Sequence, residues 1–514
     1  MHERYLENGP HCSILLFEIR ERPSKHLISY CVYIQKRFIR KAVTTSRRFI
    51  NVFLLAMLNL AVMTSLRNLP LVAEYGLGSS FLYLLVALIF LVPAALVAGE
   101  LATGWAQTGG IYIWVREAFG PGWGFFAVWM QWIHNVTWFP AILSFAATAL
   151  AYLFMPELAE NKLYLIGMVL GGFWGFTLFN YFGLKNSSWF SAVGVIAGTI
   201  IPGVLLIGLA LFWLKAGHPI QISFSLDQLV PPLNDVKTLV FTTGLFLAFG
   251  GLEVSAAHAR EVQEPQKSFP RAVAIAGIIA LVIYAAGALA IAMMIPRKDI
   301  SLVAGLMEAF ALFFRELNTP YLIYPIGLMI VLGAVGELNA WIIGPVRSLH
   351  ATSKHGDLPP IFQRLNRYGI PANLLFFQGI VVTIASLVFF MMPSASSAFW
   401  ILSAMSAQLY LIMYVLMFLA AIKLRYSHPH IVRTYRIPYR MGGIWFVGSL
   451  GALSSTVAFF IGFIPPAQFA VGSLWFYESF LWGGIALMCI IPYFIYLKRN
   501  PSWSPIGQIG EETL

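Results

Sequence analysis

From position 49 to 497 the chain alternates runs of roughly 20 apolar residues with short connections that carry most of its charge. A helix of that length crosses a hydrocarbon core of about 30 Å. The pattern predicts an all-α polytopic membrane protein with 12 transmembrane helices, near 49–74, 80–104, 122–154, 163–182, 189–214, 238–257, 272–295, 321–346, 372–392, 397–422, 442–463 and 474–497. An even number of spans puts both ends of the chain on one side of the membrane.

Two of these runs are interrupted. The first reaches from Phe49 to the glycines Gly76 and Gly78, and a straight helix of about 27 residues would rise roughly 40 Å, more than the membrane needs. Inside it stands "MTSLRNLPLVAEYG" (63–76). Pro70 removes a backbone hydrogen bond from a helix interior but suits the first turn of a new helix. The expected arrangement is a half-helix over 49–66, unwound backbone over 67–69 and a second half from Pro70. The sixth run, "LFLAFGGLEVSAAHARE" (245–261), carries Gly250 and Gly251 in mid-span with Glu253 just after them. Glycine disfavours helix by about 1 kcal/mol per residue against alanine. Breaks in the first and sixth spans lie five spans apart. An odd offset makes spans 1–5 and 6–10 repeats of opposite orientation, and paired breaks of this kind point to a binding site between the repeats.

Composition fits that picture, with 59% hydrophobic residues, 11% charged residues and a mean hydropathy of +0.76. The net charge of +11 does not indicate a nucleic-acid partner, because of where the charge lies. Ten Lys and Arg residues fall in the N-terminal tail and sixteen in alternate loops and the C-terminal tail, against six in the opposite loops. This asymmetry places both termini in the cytoplasm. Only Arg67 belongs to neither side. The expected organisation is a basic cytoplasmic tail over 1–48 and a ten-helix core over 49–422 with halves 49–214 and 238–422. A cytoplasmic loop over 423–441, two peripheral helices over 442–497 and a short tail over 498–514 complete it. Three scattered cysteines, Cys12, Cys31 and Cys489, make neither a disulfide framework nor a metal site. No cleavable signal peptide is evident.

An interrupted helix offers free N–H groups at the positive end of its dipole where it restarts and free carbonyls where it stops. The restart at Pro70–Val72, with Arg67, Asn68 and Leu69 ahead of it, can hold a carboxylate; the stop at Phe249, Gly250 and Gly251 can take an ammonium group. Together they recognise an amino acid. Four ionisable groups lie in or near the spans. Arg67 needs a partner or water at that depth. It either contacts an anionic substrate group or is held in a fixed ion pair with Glu337 or Glu253. Glu253 satisfies unwound backbone or lines the inner vestibule, and Glu100 reads as an interfacial residue organising the "GELATGW" loop. Trp341 follows Glu337 by four and shares its face, as Tyr414 does with Tyr410. His134, within "WIHNVTW", reads as a hydrogen-bonded core histidine. His258 has no zinc-ligand spacing to Glu253 or Glu261, and no phosphate-binding loop is present. No metal, cofactor or enzymatic activity is expected.

The stretches "GELATGWAQTGGIYIWVREAFGPGWGF" (99–125), "GLEVSAAHAREVQEPQKSFPRA" (251–272), "GELNAWIIGPVRSLHATSKHGDLPPIFQRLNRYGIP" (336–371) and "QLYLIMYVLMF" (408–418) resemble the amino acid–polyamine–organocation transporters. Within them they resemble the bacterial glutamate/γ-aminobutyrate antiporters. The resemblance implies two inverted five-helix repeats plus two peripheral helices, and exchange of one amino acid for another across a bacterial inner membrane. It also implies a functional glutamate at Glu337 and a tyrosine pair at Tyr410 and Tyr414 lining the pathway. Arg67 departs from it, since a tyrosine is expected just before the first break. The tail after Lys498 lacks the histidine-bearing plug of the acid-resistance antiporters. The expected activity is secondary active transport by alternating access. The favoured exchange substrates are acidic or neutral amino acids and their decarboxylated amines; proton-coupled uptake is the alternative. The lipid bilayer is the expected partner, and the sequence does not set the oligomeric state.

Overall fold

A computed structural model describes residues 50–105, 109–183, 193–194, 196–231, 239–256, 262–467 and 470–503. The basic tail over 1–48 and His258 lie outside them. Among the described residues ten helices are long and apolar enough to cross a membrane, and a bent pair makes an eleventh. The bent pair is α1 (Val52–Met63) with Leu66–Ala73, of which Leu66–Asn68 is a 3-10 turn and α2 is Leu69–Ala73. The full spans are α3 (Gly78–Gly104), α5 (Pro121–Phe154), α6 (Lys162–Tyr181), α7 (Ile196–Lys215), α10 (Pro265–Met294), α12 (Pro320–Ser353), α13 (Ala372–Met391), α14 (Ala395–Ser427), α15 (Arg440–Ile461) and α16 (Leu474–Leu497). The run expected as the sixth span is shorter, with α8 (Thr242–Ala248) and α9 (Leu252–Ala256) separated at the glycine pair. Two further helices, α4 (Ile111–Phe119) and α11 (Gly305–Glu316), lie in connections between spans.

Local signals set several helix ends. The Asn51 side chain accepts from Leu54 N–H at 2.9 Å and caps α1. Pro121 opens α5 behind Gly120 at φ +96°, and Ser394 with Ser397 forms a capping box on α14. Packing then sorts the spans by depth. α5 is 89% buried over its apolar window and α14 78%, whereas α16 is 17% buried. Thus α5 and α14 form the centre, in extensive contact with each other, and α5 also packs along α12, while α16 lies at the rim.

Two polar clusters tie the ends of spans together. Glu100, read from the sequence as an interfacial residue organising its loop, is 1% exposed near the end of α3. Both its oxygens accept from Arg425 at 2.6 Å, the Ile437 N–H donates to it at 2.8 Å, and Arg433 Nε lies 3.4 Å away. A bidentate pair satisfied this fully is what permits two charges to be buried. The second cluster joins α4 to the connection after α12: the Tyr112 hydroxyl donates to Asp357 at 2.9 Å, and Arg499 lies 3.8 Å from the same carboxylate.

Candidate functional site

The first break lies earlier than the sequence suggests. Thr64 (φ −97°, ψ 111°) and Ser65 (φ −132°, ψ 125°) are extended, whereas 67–69, expected to be unwound, are helical. Pro70 explains the shift. It has no N–H to give the Leu66 carbonyl, and the Leu69 N–H takes that carbonyl in a 3-10 bond instead. The helix therefore restarts one turn ahead of Pro70. The leading N–H groups are those of Leu66 and Arg67, not of Pro70–Val72. A 49° bend separates the two halves.

A residue from α10 pins this break. Tyr284 is fully buried, accepts from the Ser65 N–H at 3.0 Å and donates to the Met63 carbonyl at 2.5 Å. The Asn68 side-chain amide donates to the same hydroxyl at 3.4 Å, and Tyr83 donates to the Asn68 carbonyl at 3.2 Å. Tyr83 and Tyr284 stack at 5.3 Å, and Phe249 from the second break stands edge-on to both. One aromatic cluster thus holds both interruptions.

The second break falls where it is expected, over Phe249–Gly251. Only glycine suits this pair. Gly251 has φ +109°, and a Cβ there would lie 2.5 Å from Val62 Cγ1. A Cβ on Gly250 would lie 2.5 Å from the Tyr410 ring. The unwound Gly251 N–H donates to the Tyr414 hydroxyl at 2.8 Å, and Tyr414 in turn donates to Glu253 at 2.6 Å. Tyr410 donates to the other Glu253 oxygen, which Gln131 also reaches at 3.2 Å. The carboxylate is accordingly committed to three side chains and does not pair with Arg67.

Between the breaks lies a cavity with about 30 Å³ open to the centre of a water molecule. That is room for about two waters and less than an amino acid fills, so a substrate must spread its walls. Arg67, Asn68 and Gly250 border it from the broken helices; Glu337 and Trp341 border it from α12, and Tyr410 from α14. Of the other expected positions, Leu69 packs against Gly287 and Pro70 against Gly305. Phe249 belongs to the aromatic cluster, and Gly251, Glu253 and Tyr414 form the hydrogen-bonded layer behind Tyr410. None of these six lines the cavity.

Arg67 is 3% exposed, and its guanidinium lies 5.2 Å from the Trp138 ring centroid and 5.9 Å from that of Phe399. Its Nε has no hydrogen-bond partner among the described residues. No carboxylate among them comes within 4.0 Å of it. Glu337 is the carboxylate whose charge acts on it, and that group stands beside Ser65. A buried guanidinium and a buried carboxyl group therefore border one cavity without touching.

Among the wall residues outside the expected site positions, three come from α5: His134, Asn135 and Trp138. With Gln131 they stand at i, i+3, i+4 and i+7, one polar and aromatic stripe on an otherwise apolar helix. That spacing is a signal the sequence carried. Ser65 and Tyr284 had no such pattern, since their roles arise from contacts between distant spans.

A family model for amino acid permeases matches residues 49–485. An uncharacterized transporter of Legionella pneumophila is 40% identical over 455 residues, covering 88% of this chain and 98% of that protein. Two proteins of Lactococcus lactis named glutamate/gamma-aminobutyrate antiporter are each 31% identical. One, from subspecies lactis, covers 88% of this chain and 91% of its own length; the other, from subspecies cremoris, covers 83% and 86%. With the family match spanning most of the chain and these relatives nearly all of it, the chain belongs to the amino acid permease family, within the amino acid–polyamine–organocation superfamily: it is a multi-pass membrane transporter of amino acids and not an enzyme.

Proposed function

We propose that the protein is an amino-acid antiporter of the glutamate/γ-aminobutyrate exchange type, working by alternating access in a bacterial plasma membrane with both termini cytoplasmic. The observation that carries this reading is Arg67, buried beside the cavity with Nε unpartnered and no carboxylate in contact among the described residues. Reorienting a carrier whose buried cation has no anion in contact is expensive; reorienting it with an anionic substrate group on that cation is less so. This asymmetry favours exchange, because the loaded protein crosses between its two states more readily than the unloaded one. The Arg67 N–H at the restart would take the α-carboxylate, and the Gly250 carbonyl at the stop the ammonium. The Arg67 guanidinium would take the substrate's side-chain carboxylate, which glutamate and γ-aminobutyrate share.

In this reading 49–214 and 238–422 are the inverted halves, and the broken helices move against the scaffold of α5, α6, α12 and α13. Residues 442–497 are peripheral. The relatives named for glutamate/gamma-aminobutyrate antiport support the substrate pair. Glu337, a buried carboxylate bordering the same cavity, supports a second reading in which it carries a proton and the protein is a proton-coupled symporter.

Counterflow separates the two. Proteoliposomes loaded with unlabelled glutamate should accumulate labelled glutamate or γ-aminobutyrate with no ion gradient, and empty vesicles should not. Accumulation in empty vesicles driven by an inward proton gradient alone overturns the exchange reading in favour of symport.

A further inference from the structure

Two residues that line the cavity carry a buried side-chain nitrogen with no hydrogen-bond partner among the described residues: Arg67 at Nε and His134 at Nδ1. Buried donors of this kind are rare unless something outside the protein completes them. The cation is absorbed by the exchange reading. The imidazole is not.

His134 is 3% exposed and held on two faces. Its ring stacks on Tyr410 with centroids 3.8 Å apart and planes 10° off parallel, and it stands edge-on to Trp341 at 6.1 Å. Its Nε2 lies 3.0 Å from the Asn135 side-chain amide nitrogen, which also donates to the Gln131 carbonyl at 2.8 Å. An amide nitrogen only donates, so Nε2 accepts and the imidazole proton sits on Nδ1. A partial rotation of the ring would break the Tyr410 stack, and a half-turn would move Nε2 away from Asn135. The result is a fixed, neutral N–H donor on a residue that lines the cavity. Trp138, four residues on and so on the same helix face, carries the Arg67 guanidinium on its ring. Arg67 and His134 therefore belong to one side of the site.

Resting on the exchange reading, we infer that His134 is a specificity-determining residue: its Nδ1–H and the Arg67 guanidinium each take one oxygen of the substrate's side-chain carboxylate. A clamp built from two donors accepts a carboxylate and rejects the isosteric amide, whose NH₂ would meet a donor with a donor. Discrimination of this polar kind exceeds what shape alone supplies, because the wrong ligand leaves a buried donor unpaired. The clamp would also explain how both partners of an exchange are held, since γ-aminobutyrate keeps the carboxylate that glutamate carries on its side chain.

The test is competition against labelled glutamate in proteoliposomes and against labelled glutamate binding in detergent. Wild-type protein should prefer glutamate to glutamine by at least about tenfold. His134→Phe, which keeps a ring on Tyr410 but has no donor, should lower that preference about tenfold. His134→Asn, whose amide nitrogen falls near the Nδ1 position, should retain most of it. His134→Leu is a second donorless variant should the phenylalanine protein not fold. Parity of glutamine and glutamate in the wild type overturns the clamp, as does a His134→Phe protein that loses both ligands equally or neither. Wild-type protein that binds glutamate with the expected preference but requires a proton gradient overturns the exchange reading while supporting the clamp. Failure to bind or move glutamate at all overturns both.

Discussion

Removing the hydroxyl of Tyr284 tests whether the first break is held from outside its own helix. In Tyr284→Phe the Ser65 N–H and the Met63 carbonyl, both at a buried interruption, lose the group that pairs them. Each orphaned buried group costs about 1–3 kcal/mol, and partial relaxation of the extended Thr64–Ser65 backbone offsets some of the sum. A loss of about 3 kcal/mol is the expected balance, equivalent to a fall of about 3–6 °C in the melting temperature of a chain this long. The phenyl ring keeps its stack on Tyr83 and its edge contact with Phe249, so the change isolates the hydroxyl. The assays are thermal unfolding in detergent and initial exchange rate per folded protein in liposomes. Exchange should fall beyond what the lower stability explains, with maximal rate and half-saturation changing together as for a hinge residue. Tyr477→Phe is the matched control: it loses one buried bond, from Trp400 Nε1 at 2.9 Å, away from either break, and should lower stability without changing exchange. A Tyr284→Phe protein within about 1 °C of wild type and with wild-type exchange would refute the pinning argument.

Other perturbations follow from the same geometry. Arg67→Ala should abolish glutamate binding and exchange while leaving expression and monodispersity intact, and Arg67→Lys should rescue little because a compact ammonium neither stacks on the Trp138 ring nor presents the fixed planar donors of a guanidinium; saturation binding checks both, and wild-type affinity in the alanine variant sinks the substrate contact. Glu100→Ala strands Arg425 and Arg433 in a buried site and should destabilise by about 3–5 kcal/mol, whereas the Glu100→Ala/Arg425→Leu double variant should recover part of the folded yield in size-exclusion profiles. Glu253→Gln replaces an acceptor for Tyr410, Tyr414 and Gln131 with a group that has a donor facing donors, and should slow exchange more than it weakens substrate binding, because the layer lies behind the cavity wall.

The last prediction concerns pH. Burial pushes the Asp357 carboxyl, in the connection after α12, from the ordinary 3.8 up to about 6. A group raised in the folded state contributes stability that is full below about pH 3.8 and lost as pH rises through about 6. Melting temperature in detergent should therefore fall between pH 5 and pH 7 by the equivalent of about 1.4 kcal/mol, and Asp357→Asn should flatten that slope. An unchanged slope in the variant assigns the pH dependence to another group.

Span positions, the glycine break and the depth of Arg67 were legible in the sequence because each depends on local rules: apolar run length, helix propensity and the price of a charge in hydrocarbon. The stripe Gln131, His134, Asn135 and Trp138 was legible in the same way, through helical spacing. The position of the first break was less so. Pro70 disrupts the helix through the carbonyl four residues behind it, which moves the interruption to Thr64–Ser65, and the bond that holds it there comes from Tyr284, far along the chain. The partners of the charges were decided only by tertiary structure. Glu253 and Glu337 are both carboxylates beside interrupted or central helices, and nothing local says that one is enclosed by two tyrosines and a glutamine while the other is left opposite Arg67. Hydropathy is a property of each segment by itself; which buried charge meets which donor depends on how α5, α10, α12 and α14 converge, and that convergence sets the chemistry of the cavity.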